Sequence, residues 1–509
     1  MPRFSCILCA FVLLSTGMGC KKDPSGPSNL PPQIRLRLET TPRTVFFSEQ
    51  QITIAATIED EFAADSVTVM WFASAGTFVQ TAKETAVWQA PTTPGTYTVR
   101  ATATDEKEQS AEDSIRITTE NRAPVILSVT PDSAFVILGN LKTFSVAAQD
   151  SDGNALSYSW QTTGGRIVED YDSTIVWQAP EQPGRDTLFV TVTDDWQSSA
   201  RDTATVVVYR EAGSAWVADT GNHEVVKISG EGKVIFRQTG FYAPVAIALD
   251  APRRRAWVID NMLKKLVRLD IEGMPQAEYS DLGGPVALDL VAVNGHVWVA
   301  EADSNRISEV SNDGVTLVRR VNGFLHPGGL VVDQRSGDIY VADTGAHRVV
   351  RVLSSVPNGY SVASDSGYHE LFNDFDAPVA LAADLHNREI WVVDKFIAAV
   401  NLLQVASRTK ITVSGLRLPE AITFDNTLGI AWIADTGNGR IVKVSKNGLV
   451  SQVTGFRLPQ DLSVDPNDGS VWIADTENDR IVKVSANGDR LFELYGFSSP
   501  QGIRVNPGQ

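Results

Sequence analysis

A chain of 509 residues exceeds one domain of ordinary size, and three or four are expected. Hydrophobic residues make up 43% and charged residues 21%, the balance of a globular protein with sizeable cores. The net charge of -17 is spread along the chain and repels phosphate backbones, which argues against nucleic acid as a partner. The three cysteines all fall within the first twenty residues, so the body can hold neither a disulfide framework nor a cysteine-based metal site.

In chain order, the first element is MPRFSCILCAFVLLSTGMGC. Arg3 precedes an apolar run from Phe4 to Leu14 that is too short to span a bilayer as a helix. Small residues then lead to Cys20. The pattern reads as a secretory signal over residues 1–20. With Gly19-Cys20 at its end, it resembles a bacterial lipoprotein signal peptide. That resemblance implies lipidation at Cys20, a membrane tether and a place in the bacterial cell envelope. Residues 21–33, rich in Pro, Gly and Ser, read as a flexible linker.

Short alternating strands follow, such as ITIAATI and YTVRATAT. A duplication is visible: AVWQAP at 86–91 returns as IVWQAP at 175–180, and Trp71 matches Trp160. Each copy carries strand and turn signals for a β-sandwich, expected over 34–120 and 121–210, with Trp71 and Trp160 on central strands. The copies resemble the tandem Ig-like or PKD-like modules of bacterial surface proteins, which implies a stalk. In the second copy Asp150, Asp152 and Asn154 alternate in a Gly-containing loop. Such spacing suits either calcium, through hard oxygen ligands, or a tight turn.

From 211 to 509 one pattern recurs. An aromatic, two apolar residues and an acid appear as WVAD at 216, WVID at 257, WVAE at 298, YVAD at 340, WVVD at 391, WIAD at 432 and WIAD at 472. A proline follows each: Pro244, Pro285, Pro327, Pro378, Pro419, Pro459 and Pro500. Four strands per unit of about 41 residues predict a β-propeller, in an all-β protein. Segments such as YVADTGAHRVVRV and WVADTGNHEVVKI resemble NHL repeats. The region starts inside a unit and ends on a unit's first strand, so the last strand is expected to complete the first sheet. That phase predicts seven blades, or six were one unit degenerate. The recurring acids read as turn-holding scaffold, because chemistry is not needed in every unit.

Enzymes among propellers of this kind bind metal through histidines or channel acids. None of His223, His296, His326, His347, His369 and His386 directly follows a repeat proline. Glu420 and Asp461 stand just after such prolines as candidate channel-lining acids, and two acids do not complete a metal site. The expected function is therefore a lipid-anchored, non-catalytic scaffold that binds a protein, peptide or glycan; the alternative is a periplasmic or surface hydrolase or lyase with a channel metal. No cofactor beyond the calcium alternative is implied. The candidate partner surface is the face carrying the proline loops. Turns at Met262, Leu263, Phe396 and Ile397 break the polar rule there. The interval from 340 to 391 is ten residues longer than its neighbours. If that excess falls before Pro378, it adds Tyr368, His369, Phe372 and Phe375 to the same face.

Overall fold

The computed structural model describes residues 30–39, 45–46, 51–60 and 66–508. Cys20 and the expected signal lie outside the described residues. Among the described residues, no helix is long and apolar enough to cross a membrane.

Two β-sandwiches come first, each of two four-stranded sheets. Their alternating strands bury one face and expose the other, which is what period-two patterning dictates. Trp88 and Trp177, on inner strands, are fully buried at the centres of the two cores. Trp71 and Trp160 lie instead on edge strands, Thr68–Ala73 and Leu156–Thr162, which corrects their expected central placement. The duplication extends to hydrogen bonds. The indole N–H of Trp88 donates to the Ala75 carbonyl (2.9 Å), and that of Trp177 to the Gly164 carbonyl (3.0 Å). Gly76 and Gly165 lie against these indoles in left-handed conformation, where a Cβ would come within 2.6 Å of the ring. Only glycine satisfies both constraints.

From residue 215 onward the strands form seven further sheets. We number them as units by their first strands: Pro500–Val505 (unit one), Pro244–Asp250 (two), Pro285–Val291 (three), Pro327–Val332 (four), Pro378–Asp384 (five), Ala421–Asp425 (six) and Pro459–Val464 (seven). In unit four the first strand pairs antiparallel with Ile339–Asp343, then come Arg348–Val352 and His369–Phe372. Unit one joins the two ends of the region: Pro500–Val505 pairs antiparallel with Ala215–Asp219. The first strands contact one another in unit order, and that of unit seven also touches that of unit one.

The cores lie between units. Trp257 packs with Leu288 and Val299 of unit three, and Trp472 of unit seven packs with Val217 and Ile503 of unit one. A single four-stranded sheet could not bury such a tryptophan alone, so each unit depends on its neighbour. The first strands leave an unpaired edge facing the central channel, and side chains of the preceding unit cap it. Asp289 accepts from the Val332 amide (2.8 Å), Ser463 from Val505 (3.1 Å) and Asp461 from Ile503 (2.9 Å). These side chains satisfy backbone donors that no strand reaches.

The insertion in unit four lies between its third and fourth strands, at the end opposite the proline loops. Tyr360–Ser361 pairs parallel with Val321 and Asn322, adding a fifth strand to the outer edge of unit three. Val356, Tyr360 and Val362 are buried there with Trp298 and Phe324. The expected position before Pro378 is thereby corrected: the segment covers the outer edge of the neighbouring unit three.

Candidate functional site

The end of each second strand defines what we call the proline face. Asp219, Asp260, Glu301, Asp343, Asp394, Asp435 and Asp475 are all fully buried there. Each accepts a backbone N–H from the loop that precedes its unit's proline. Asp343 takes the Leu325 amide (2.6 Å), Asp435 that of Arg417 (2.6 Å) and Asp475 that of Arg457 (2.7 Å). The second carboxylate oxygen of these three binds an arginine: Arg348 at 2.7 Å, Arg440 at 2.6 Å and Arg480 at 2.6 Å. The same arginines donate to the carbonyls of Gly323, Gly415 and Gly455, closing each loop. Burial pushes the carboxyls of Asp219 and Asp343 above the usual range, while amide donors pull them down.

The following residue reaches the next unit. Thr344 Oγ1 donates to the Pro378 carbonyl (2.6 Å), Thr436 to Pro459 (2.7 Å) and Thr476 to Pro500 (2.8 Å). Thus Asp holds one unit and Thr clips it to its neighbour. At the opposite face, Lys443 lies over Trp432 and donates to the Ala486 carbonyl of unit seven (2.9 Å). Lys483 lies over Trp472 and does the same to Gly230 of unit one (3.2 Å). The recurring polar residues are therefore consumed by scaffold.

Around the channel mouth stand the residues that follow the prolines: Val245, Val286, Glu420, Gln460 and Gln501, with Asn261 beside them. Glu420 reaches this mouth, yet Lys395 of unit five, standing where units one, four, six and seven have Thr, forms an ion pair with it. Asp461 is bound by Arg504 (2.8 Å) in addition to the Ile503 amide. Both candidate acids are thus already engaged. Among the described residues, no group of three or more His, Cys, Asp or Glu side chains is placed to share a metal ion.

Of the proposed partner-binding residues, Met262, Leu263, Phe396 and Ile397 are exposed on the turns of the proline face. Tyr242, Leu325, Leu418 and Leu458, not singled out from the sequence, are exposed on the adjoining proline loops. Backbone bonds hold turns and loops together, as in the Asn261 amide on the Ala243 carbonyl (3.0 Å). Phe372 and Phe375 are buried and contribute no surface, which corrects their expected exposure. Phe375 fills the core position three residues before the proline, where units four, seven and one carry Phe324, Phe456 and Phe497. Tyr368 and His369 lie at the opposite end; His369 Nδ1 meets the Tyr360 hydroxyl (2.7 Å), and burial pulls its pKa down.

In the second sandwich, Asp150 Oδ1 accepts from the Asp152 amide (2.7 Å) as a turn requires. Asp152 binds the Arg122 amide (2.7 Å), and Asn154 the side chain of Asn121 (2.9 Å). The loop thereby holds the connection from the first sandwich.

NHL repeats are matched at residues 324–352 and 456–484. No curated protein matches the chain. Among solved structures, a functionally unknown protein from Desulfotomaculum acetoxidans is similar at 12% identity over 58% of this chain and 99% of its own, with TM-score 0.51. Virginiamycin B lyase from Staphylococcus aureus is similar at 14% identity over 52% and 92%, with TM-score 0.44. The Kuenenia stuttgartiensis hydrazine synthase is similar at 12% identity over 55% and 94%, with TM-score 0.48. The matched repeats and the fold likeness support an NHL-type β-propeller.

Proposed function

We propose that this protein is a lipid-anchored, non-catalytic scaffold of the bacterial cell envelope, which offers the proline face of a seven-bladed propeller to a protein, peptide or glycan partner. Cys20 carries the lipid, residues 21–33 are the linker, and two Ig-like modules, 34–120 and 121–210, form the stalk. The observation that carries this reading is the set of eight exposed large apolar side chains on the turns and loops of the proline face. Apolar side chains exposed on both the turns and the loops of one face of an acidic protein offer the surface an interface uses. The second sandwich supports the same orientation. Its Ile137 packs against the Trp216 core beside Phe236, Lys227 lies over the Tyr209 and Trp216 rings, and the same lysine joins Glu211 (2.8 Å) to the Ile271 carbonyl (3.1 Å), all on the opposite side. The stalk therefore leaves the proline face uncovered.

One fractionation experiment tests both parts. Wild-type protein is expected in the membrane fraction and, after mild solubilisation, in an assembly larger than the free chain. Cys20→Ser is expected to release it to the soluble fraction. Met262→Asp with Phe396→Asp is expected to leave it membrane-bound and reduce it to the free chain. Membrane retention of Cys20→Ser removes the tether, and an unchanged assembly in the double variant removes the docking face.

A further inference from the structure

A second site lies on the opposite face, in a cleft of ≈ 710 Å³ between units four and five. Two departures from the repeat meet in it. The hairpin between first and second strands turns through a left-handed glycine in units three, four, six and seven, Gly295, Gly337, Gly429 and Gly469, and through Arg254, with φ 54°, in unit two. In unit five that position is Arg388, with φ 56°. The hairpin between third and fourth strands likewise turns through Gly232, Gly273, Gly314 and Gly488, and in unit five through Arg408, with φ 58°. A left-handed non-glycine residue costs about 1–2 kcal/mol. Unit five bears that cost twice, and both arginines line the one cleft. Strain retained at two independent turns around one cavity points to use.

The charges differ in how they are occupied. Arg351 is held by Asp338 (2.7 Å) and Glu370 (3.3 Å). Asp333 accepts from the Ser336 hydroxyl (2.9 Å) and Glu389 from the Gln404 amide (3.0 Å). Arg408 donates to the Leu371 carbonyl (2.6 Å) and covers the Phe372 ring. Arg335, from unit four, and Arg388 are exposed on the rim, and among the described residues no acid pairs with either guanidinium. Guanidinium forks match planar carboxylates with two parallel hydrogen bonds. The neighbouring carboxylates Asp333 and Glu389 repel a dianion, and they keep lone pairs that accept from hydroxyl groups. A ligand with one carboxylate and several hydroxyls per unit meets both demands.

We propose that this cleft binds acidic oligosaccharides built from uronic-acid units, with Arg335 and Arg388 taking the carboxylates. The test is calorimetric titration of the purified full chain with trigalacturonate, beside maltotriose, triglutamate and tripolyphosphate. Trigalacturonate is expected to bind, and the other three to bind at least tenfold more weakly. Arg335→Ala with Arg388→Gly is expected to weaken trigalacturonate at least tenfold at an unchanged or raised melting temperature, since glycine suits the left-handed turn. Absence of binding to the wild type overturns the proposal, as does undiminished binding by the variant. Equal affinity for triglutamate or tripolyphosphate overturns the saccharide assignment.

Discussion

Deleting residues 499–509 is expected to lower the melting temperature of the propeller by about 10–20 °C or to make the chain aggregate. The deletion removes the whole first strand of unit one, Pro500–Val505. Ala215–Asp219 then loses its ladder partner and presents an open sheet edge. Ile503 and Val505 leave the core shared with Trp472, at about 1.5–3 kcal/mol each. The Thr476 clip loses its acceptor, and Asp461 loses Arg504. Differential scanning calorimetry checks the result, and a deletion variant that melts like its parent contradicts the pairing of the two ends.

Asp435→Ala is expected to destabilise the protein by about 3–5 kcal/mol, because it leaves buried partners behind rather than removing them. The Arg417 amide, the Asn438 side chain and the Arg440 guanidinium all converge on this carboxylate. Asp435→Asn keeps an acceptor and gives up the charge, so a smaller loss is expected from it. Denaturant unfolding of the two variants measures both. A catalytic carboxylate would behave in the opposite sense, since its removal spares stability; unchanged stability in Asp435→Ala would refute the scaffold role.

The repeated parts of this fold were legible because repetition separates scaffold from accident. Seven aromatic–acid anchors and seven prolines mark the second and first strands wherever they recur, and the structure puts a strand at each, that of unit six beginning two residues after Pro419. The sequence carries a further signal: Leu282, Phe324, Phe375, Leu416, Phe456 and Phe497 each stand three residues before a proline, and all are buried. Reading Phe375 in that series would have put it in the core. The side of the unit-four insertion was not legible. The interval between anchors measures extra length without saying which hairpin holds it, and the pairing of Tyr360 with Val321 depends on a neighbouring unit. Position after a proline identified Glu420, but its ion pair with Lys395 arises from two units meeting at the channel and has no local sequence signal.

Two methionines on opposite faces provide a native probe of the docking face. Met262, 62% exposed, sits on a turn of the proline face, and Met274, 55% exposed, sits on the far hairpin of the same unit. Brief peroxide treatment oxidises accessible methionines, and mass spectrometry reads each sulfoxide separately. In the purified chain the two are expected to oxidise at similar rates. In intact cell envelopes, a partner seated on the proline face is expected to slow Met262 several-fold relative to Met274. A ratio in envelopes equal to that of the purified chain would contradict a docked proline face.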